Sequence, residues 1–355
     1  FNFDMNNKTF LITGGCGFIG SCLIRELSKS KNNYIINVDK LTYASNTLSI
    51  GHLEDKNYTF YKEDITDEAI VEKIFKKTNP DYVIHLAAES HVDRSIDSPK
   101  SFIDTNVIGT YNLLNSSYNY WKSVEEEEKK SFKFIMVSTD EVYGSLKPKE
   151  DKFNEETSYK PNSPYAASKA SSDHLVRAWN TTYGLPTIIT NTSNNYGPWQ
   201  FPEKLIPLVI GKCLNNTNIP VYGDGKQIRD WIHVEDHVSG LLFVLRHGKS
   251  GEKYNIGSDN ELTNIDVVKT ICEILDELKP VKDFNYSKLI TYVDDRPGHD
   301  TRYAIDSSKI NELGWRSNIT WMNGIRETIL WYLNNQDIKY NSESKIYSGE
   351  RLGKL

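Results

Sequence analysis

The feature that most restricts what this chain can fold into is an extended run at Thr9–Thr13 passing directly into Gly14-Gly15-Cys16-Gly17-Phe18-Ile19-Gly20. Glycines at 14, 17 and 20 leave no Cβ where a turn is tight and where backbone must approach a pyrophosphate. The helix that follows points its free N-terminal amides at that charge. A glycine triplet alone is weak evidence. Here it follows a strand, opens a helix with apolar residues at Ile19, Cys22, Leu23 and Leu27, and begins a unit ending at an acid, Asp39. A carboxylate at that point accepts hydrogen bonds from both hydroxyls of a ribose and repels a 2′-phosphate. NAD is therefore the expected cofactor rather than NADP, with the charge of Lys40 working against that preference.

β-rich runs at residues 34–39, 58–64, 82–88, 133–140 and 186–194 continue the pattern, separated by segments of helical spacing. The alternation predicts an α/β fold, a Rossmann-type doubly wound parallel sheet with a smaller C-terminal α/β substrate-binding lobe. The apolar run 134–137 fits a strand covered on both faces. The 355 residues suffice for two lobes. Residues 5–195 are assigned to the NAD-binding domain, with 230–257 and 301–318 returning to it; 196–229, 258–300 and 319–355 form the substrate lobe. Within that lobe the Pro-, Gly- and Asn-rich stretch 197–225 reads as long connections. Helices are expected at Val234–His247, at Asn264–Leu278, and from a Thr320 cap to about Asn335. The charge run at 125–130 reads as a solvated insert between a helix and a strand.

A net charge of −6 offers no basic surplus for a nucleic-acid partner. No run of ~18 apolar residues predicts a membrane span, and no basic and apolar leader resembles a signal peptide. Met5 stands just before the first strand, so residues 1–4 are expected to be foreign to the native chain. The four cysteines (Cys16, Cys22, Cys213, Cys272) form no CxxC pair, which fits reduced thiols in a cytoplasmic protein. No metal site is expected: His85 and His91 have no third ligand at useful spacing and read as buried histidines.

Reactive groups gather further on. Tyr165 and Lys169 stand four apart in Ser163-Pro164-Tyr165-Ala166-Ala167-Ser168-Lys169, on one face of a helix running toward Tyr183. A phenol of pKa ~10 is a poor base at neutral pH. An ammonium ~6 Å away at an effective dielectric of ~20 is worth about 3 kcal/mol, or roughly two pKa units. Together with a positive nicotinamide ring, Lys169 is expected to make Tyr165 a usable base.

The fifth strand ends Val137-Ser138-Thr139-Asp140-Glu141-Val142-Tyr143-Gly144, with two adjacent carboxylates directly after Ser138-Thr139. With Asp39-Lys40-Leu41-Thr42-Tyr43, His85-Leu86-Ala87-Ala88-Glu89-Ser90-His91-Val92-Asp93-Arg94-Ser95, Asn194-Asn195-Tyr196-Gly197-Pro198, Gln200-Phe201-Pro202-Glu203-Lys204-Leu205-Ile206-Pro207, Arg229-Asp230-Trp231, Asp295-Arg296-Pro297-Gly298-His299 and Gly349-Glu350-Arg351-Leu352-Gly353, the chain resembles the nucleotide-sugar 4,6-dehydratases of the extended short-chain dehydrogenase/reductase family along nearly its whole length. Cys16, Ser45 and Trp199 depart from the family's common residues. None removes a reactive group; Ser45 and Trp199 lie in segments expected to border the ligands.

The resemblance implies a nucleotide-activated glucose as substrate. Tyr165 would take the C4 hydroxyl proton while hydride passes to NAD, and the resulting ketone acidifies C5. Glu141 would then act as base at C5 and protonated Asp140 as acid at the C6 hydroxyl, with hydride returning to C6. Asp140 must therefore keep its proton near neutral pH. Because neighbouring strand residues face opposite sides, the chain should already be turning at Asp140-Glu141 for both to reach one sugar. The resemblance places Thr139 on the C4 oxygen. At the cofactor it places Phe18, Ile19, Lys40, Thr42, Asp64, Ile65, Leu86, Ala87, Ala88, Ser90, Thr105 and Asn195 beside the glycines, Asp39, Tyr165 and Lys169. At the sugar nucleotide it places Ser90, His91, Asn194, Lys204, Leu205, Val221, Tyr222, Arg229, Asn264, Arg296 and His299. Cations there would hold the diphosphate. His91–Ser95 and Arg229–Trp231 lie nearer the dTDP-glucose branch than the UDP-glucose branch, and both bases stay open. A homodimer formed through a helix pair is implied by resemblance alone. A 4-epimerase or decarboxylase would use the same Tyr165 and NAD but has no need of Asp140-Glu141. A catalytically silent NAD-sensing protein would be free to lose Tyr165 or Lys169.

Overall fold

The computed structural model describes residues 7–337 except 52, 54 and 55. Residues 1–4 and the 349–353 motif lie outside the described residues, as does the substrate-lobe assignment beyond 337. In chain order the strands are β1 (Thr9–Thr13), β2 (Tyr34–Val38), β3 (Tyr58–Tyr61), β4 (Tyr82–His85), β5 (Lys133–Thr139), β6 (Thr187–Thr192), β7 (Asn194–Tyr196), β8 (Ile219–Tyr222), β9 (Ile228–His233), β10 (Lys253–Ile256), β11 (Glu261–Thr263) and β12 (Ile290–Val293). Seven of them form one sheet in the order β10-β6-β5-β4-β1-β2-β3, every pairing parallel. The winding reverses between β1 and β4, so a crevice opens at their carboxyl ends.

Side chains alternate across this sheet with period two. Phe10, Ile12, Ile84, Ile135 and Val137 go to one face, where helix Val234–His247 supplies Leu241 and Leu245. Leu11, Val83, Phe134 and Met136 go to the other, against Leu113 and Leu114 of helix Gly109–Ser123. Burying each such side chain contributes roughly 1.5–3 kcal/mol. The second lobe has its own core, in which Ile206, Val209, Val267, Ile271 and Ile325 pack beside the small sheets β11-β9-β7 and β12-β8. Among the described residues no helix is long and apolar enough to cross a membrane.

Three local expectations need correction, and a fourth is sharpened. The strands stop short of their expected ends: β2 at Val38, β3 at Tyr61, β4 at His85 and β5 at Thr139. The β-rich residues beyond them leave the ladder and form the crest of the cleft. Stretch 197–225 contains helix Leu205–Leu214 as well as β8. Its buried Ile206, Val209, Ile210 and Cys213 have helical spacing that the surrounding Pro and Gly obscured. The 125–130 charge run is the expected solvated insert between a helix and a strand, and it is itself helical: Glu126–Ser131 has no buried residue and a Glu125/Glu128 capping box, acids first and lysines last, as the helix dipole favours. Thr320 does precede helix Trp321–Asn334, but its hydroxyl makes no cap; its carbonyl accepts from Gly324 N at 2.9 Å.

Candidate active site

Every residue assigned above to the cofactor, from Gly14 to Asn195, lines one cleft at the carboxyl ends of β1, β2, β4 and β5. Its floor is the glycine turn. Gly14 has φ 75°, and a Cβ there would stand 2.6 Å from Ala87 N; a Cβ on Gly20 would fall against the Gly14 carbonyl. Helix Phe18–Leu27 starts from this turn with no side chain on its first amides, leaving donors for a pyrophosphate. Asp39 closes the far end. Its carboxylate accepts from Cys16 N at 2.9 Å, Leu41 N at 2.8 Å and Ser45 Oγ at 3.1 Å. Burial raises its pKa and those donors oppose the rise. With three of about four acceptor sites taken, roughly one remains for a ribose hydroxyl, not two as expected. Lys40 is close enough to favour the charged form of Asp39, while its ammonium is engaged elsewhere. It donates to Thr105 Oγ1 at 3.2 Å and lies 3.6 Å from Asp64 and 3.7 Å from Glu89.

Helix Pro164–Tyr183 carries the next pair. Ser163 Oγ caps it by accepting from Ala166 N at 3.0 Å, Pro164 takes the first position, and Gly184 at φ 74° ends it. Tyr165 and Lys169 are both buried, and Lys169 Nζ donates to Val137 O at 2.9 Å. Burial pulls Lys169 down to about 8, with Asp173 opposing. It also raises the Tyr165 phenol above its usual value; Glu141 and Asp140 add to the rise, and a hydrogen bond with Thr139 opposes it. The expected lowering of Tyr165 by Lys169 is thus outweighed within the protein, because both groups are desolvated and two carboxyls face the phenol.

After Thr139 the chain turns into a 3₁₀ helix, Asp140–Tyr143, capped by Thr139 Oγ1 accepting from Glu141 N at 3.2 Å. The turn takes Asp140 and Glu141 out of strand alternation, and both line the cofactor cleft. The two carboxyls differ in surroundings. Asp140 is fully buried and held well above the ordinary carboxylate range by desolvation, with Glu141 and Asp230 adding to it. Its Oδ1 accepts from Thr139 Oγ1 at 3.3 Å, and among the described residues its buried Oδ2 has no partner. Glu141 is raised by burial but faces Arg296, Arg229 and Lys204, all of which oppose that rise. Burial raises both carboxyls, Asp140 the more strongly; Arg229 opposes the rise at both, and Glu141 faces two further cations.

Glu141 also lines a second, adjoining cleft with every residue assigned to the sugar nucleotide except Thr139, which lines the cofactor cleft alone. Arg296 Nη1 donates to Asp93 Oδ1 at 3.0 Å. Arg229 donates to the carbonyls of Ile228 at 2.8 Å and Asp300 at 3.1 Å, and stacks 4.3 Å over the Tyr303 ring. Lys204 Nζ donates to Ser90 O at 2.9 Å. His299 Nδ1 lies 2.6 Å from Asp295 Oδ1, and burial lowers it to about 4. His91 caps helix Val92–Asp97, and burial with three nearby cations lowers it to about 2. His85 is a buried structural group lowered to about 3 by burial, lying between Thr13 Oγ1 at 2.7 Å and Thr110 Oγ1 at 2.9 Å. Asn195 Oδ1 meets His237 Nδ1 at 2.9 Å, while Asn194 Oδ1 is buried with no partner among the described residues. Trp199 borders neither cleft; it packs 4.9 Å from Trp331.

Sequence reasoning missed Asp93, Glu203 and Tyr303 as lining residues. The first two stood inside quoted motifs, but a diphosphate site directs attention to cations rather than to acids: Asp93 holds Arg296, and Glu203 holds Arg94. Tyr303 carried no signal of its own.

Known proteins share this arrangement. A family model described as GDP-mannose 4,6 dehydratase matches residues 11–328. The dTDP-glucose 4,6-dehydratase of Shigella flexneri is 55% identical over 348 residues, covering 95% of this chain and 96% of its own. A crystal structure of dTDP-glucose 4,6-dehydratase from Streptomyces venezuelae with NAD and TYD bound superposes with TM-score 0.84 at 39% identity, over 93% of this chain and 98% of that one. A UDP-glucose 4-epimerase from Thermotoga maritima reaches TM-score 0.81 at 29% identity, over 92% of this chain and 99% of that one. Sheet, glycine turn and Tyr165-Lys169 helix make the protein an extended short-chain dehydrogenase/reductase, a class that dehydratases and epimerases share. Within it, the chain belongs to the nucleotide-sugar 4,6-dehydratase family.

Proposed function

We propose that the protein is an NAD-dependent dTDP-glucose 4,6-dehydratase, a hydro-lyase converting dTDP-glucose to dTDP-4-keto-6-deoxyglucose and water. The observation that carries this is the Asp140-Glu141 turn in the cleft that Tyr165 lines, where a deeply buried carboxyl held well above the ordinary range adjoins one that faces three cations and borders both clefts. An epimerase has no use for that pair. The glycine cradle, which a Cβ would fill, and Asp39 fit NAD, and the carboxylate of Asp39 disfavours a 2′-phosphate. When bound, NAD accepts hydride from C4 of the sugar, returns it to C6, and brings positive charge beside Tyr165.

The chain's own groups move the protons. Tyr165 takes the C4 hydroxyl proton, with Lys169 behind it and Thr139 hydrogen-bonded to the same oxygen. The ketone at C4 acidifies C5, and Glu141 removes that hydrogen as a proton. Asp140 protonates the departing C6 hydroxyl, which leaves as water. Glu141 then returns a proton to C5. Arg296, Arg229 and Lys204 hold the diphosphate, while Asn194 and Asn195 position the diphosphate and nicotinamide sides.

Thymine is the favoured base, as in the curated relatives' names, with UDP-glucose the competitor. We take residues 5–195 with 230–257 and 301–318 as the dinucleotide domain, supported by β10 joining the large sheet, and the remainder as the substrate lobe. A homodimer is supported by Ile103, Ile108, Tyr111 and Tyr183, large apolar side chains 39–46% exposed on the helical segments 103–123 and Pro164–Tyr183. A cytoplasmic location is supported by four free, buried thiols.

The test is isotopic. With dTDP-glucose deuterated at C4, the label is expected at C6 of the product, with solvent hydrogen at C5 and no net NAD consumed. Label retained at C4 refutes the elimination. Equal turnover on UDP-glucose would remove the base preference.

A further inference from the structure

Three segments far apart in sequence meet at the cofactor cleft through residues to which the chemistry above gives no role. The first is the loop after β2, where Thr42, Ala44 and Ser45 line the cleft and Tyr43 lies between them. The second is the substrate-lobe loop in which Phe201, Glu203 and Lys204 line the same cleft from the other side. The third is helix Val92–Asp97, which carries Arg94. Tyr43 OH donates to Glu203 Oε1 at 2.9 Å, across 160 positions of sequence. Arg94 Nε donates to Glu203 Oε2 at 3.0 Å, and its guanidinium lies 4.0 Å over the Tyr43 ring. The edge of Tyr43 meets Phe201 at 5.4 Å, and His91 Nε2 stands 4.0 Å from the same Glu203 oxygen. The Glu203 side chain is 1% exposed, so these hydrogen bonds act in low dielectric, where a charged partner strengthens them.

We propose that Tyr43, Arg94 and Glu203 form a clasp that joins the two lobes over the cofactor cleft and sets the rate at which the dinucleotide enters and leaves. This rests on NAD being the cofactor, as proposed above. All three contacts are made within the protein and none needs the dinucleotide, so opening the clasp changes the barrier to passage and not the affinity. Slow exchange suits the reaction. Hydride taken from C4 must come back to C6 of the same sugar, and a reduced cofactor that departed between the two steps would strand an unsaturated ketone in the site. The three residues are positioning residues: none is assigned to the sugar, to a reacting atom or to proton transfer.

Tyr43→Phe removes one hydrogen bond and keeps the ring against Phe201 and under Arg94. Glu203→Gln, equal in size, weakens both arms. The holoenzyme and each variant are mixed with excess radiolabelled NAD to follow exchange, and their affinities are measured by equilibrium dialysis at graded NAD. Exchange is expected to quicken about tenfold in each variant, since a hydrogen bond to a charged group is lost, while Kd moves less than about twofold. During turnover the variants should also shed NADH into solution. Exchange at the wild-type rate in both variants overturns the clasp. Faster exchange with Kd weakened in proportion overturns it too, since the residues would then be binding contacts. A wild-type chain that binds no NAD overturns the cofactor reading, and the clasp with it.

Discussion

The two clefts share a border at Glu141 and are built on opposite principles. The cofactor cleft is shaped by what is missing. Glycines at 14 and 20 stand where any Cβ would strike backbone, and consecutive parallel strands end at its rim. The substrate cleft is shaped by charges already engaged: Arg296 on Asp93, Arg229 on two carbonyls, Lys204 on Ser90 O. Buried charges left unpaired would cost several kcal/mol each, so the protein supplies its own partners. On the proposed assignment a dinucleotide would enter a preformed mould, whereas a sugar diphosphate would share cations with groups that already hold them. Backbone shape tolerates almost no substitution; a charge cluster tolerates some loss, because it is several-fold redundant.

The sharpest way to separate chemistry from both kinds of binding is Glu141→Gln. Turnover should fall about 10²–10⁴-fold, the usual worth of a positioned base. A transient of reduced cofactor should still appear on mixing with dTDP-glucose, because C4 oxidation precedes the step that needs Glu141. Full turnover in this variant would remove Glu141 from its role. The contrast between the clefts is then tested by a crossed pair. In Gly20→Ala the added methyl meets the Gly14 carbonyl, and overpacking of about 1–3 kcal/mol should weaken NAD roughly ten- to hundredfold while leaving dTDP binding intact. Arg296→Ala should do the reverse by a smaller factor, about three- to tenfold, because Arg229 and Lys204 remain. Calorimetric titration of each variant with each ligand decides; both ligands weakened together in both variants would deny the clefts their independence.

The smallest effect concerns stability. Asp140 keeps its proton in the native state above the pH of about 4 at which it ionises in the unfolded chain. The native state therefore binds more protons across that window, and stability falls as pH rises by about 1.4 kcal/mol per unit from this group. Asp140→Asn removes that slope. Urea unfolding at pH of about 5 and about 7 should show the variant losing less stability than wild type between the two. Equal losses would place the Asp140 proton elsewhere.

Most of the cofactor half was legible because its signals are local. A strand, a glycine turn, a helix start and an acid follow one another within residues 9–39. The places where strand expectation ran too far, beyond Val38, Tyr61, His85 and Thr139, are where the backbone leaves the ladder to build the site; local β-propensity cannot register a hydrogen-bonding partner that is no longer there. The expectation that Asp140 and Glu141 lie on a turn did follow from sequence, since strand geometry forbids both from facing one sugar. The effect on Tyr165 did not. A spacing of four brings Lys169 near, but not the burial and the two carboxyls that outweigh it.

What the amino-acid order determined was the sheet, its dinucleotide end and which titratable groups gather there, because each depends on residues close in the chain and on periodicities that side-chain chemistry imposes. Tertiary structure alone decided which acid partners each cation, how many acceptor sites Asp39 keeps open, and that Tyr43, Arg94 and Glu203 meet. Electrostatic and hydrogen-bonding partners are chosen by proximity in space, and these come from segments up to 203 positions apart.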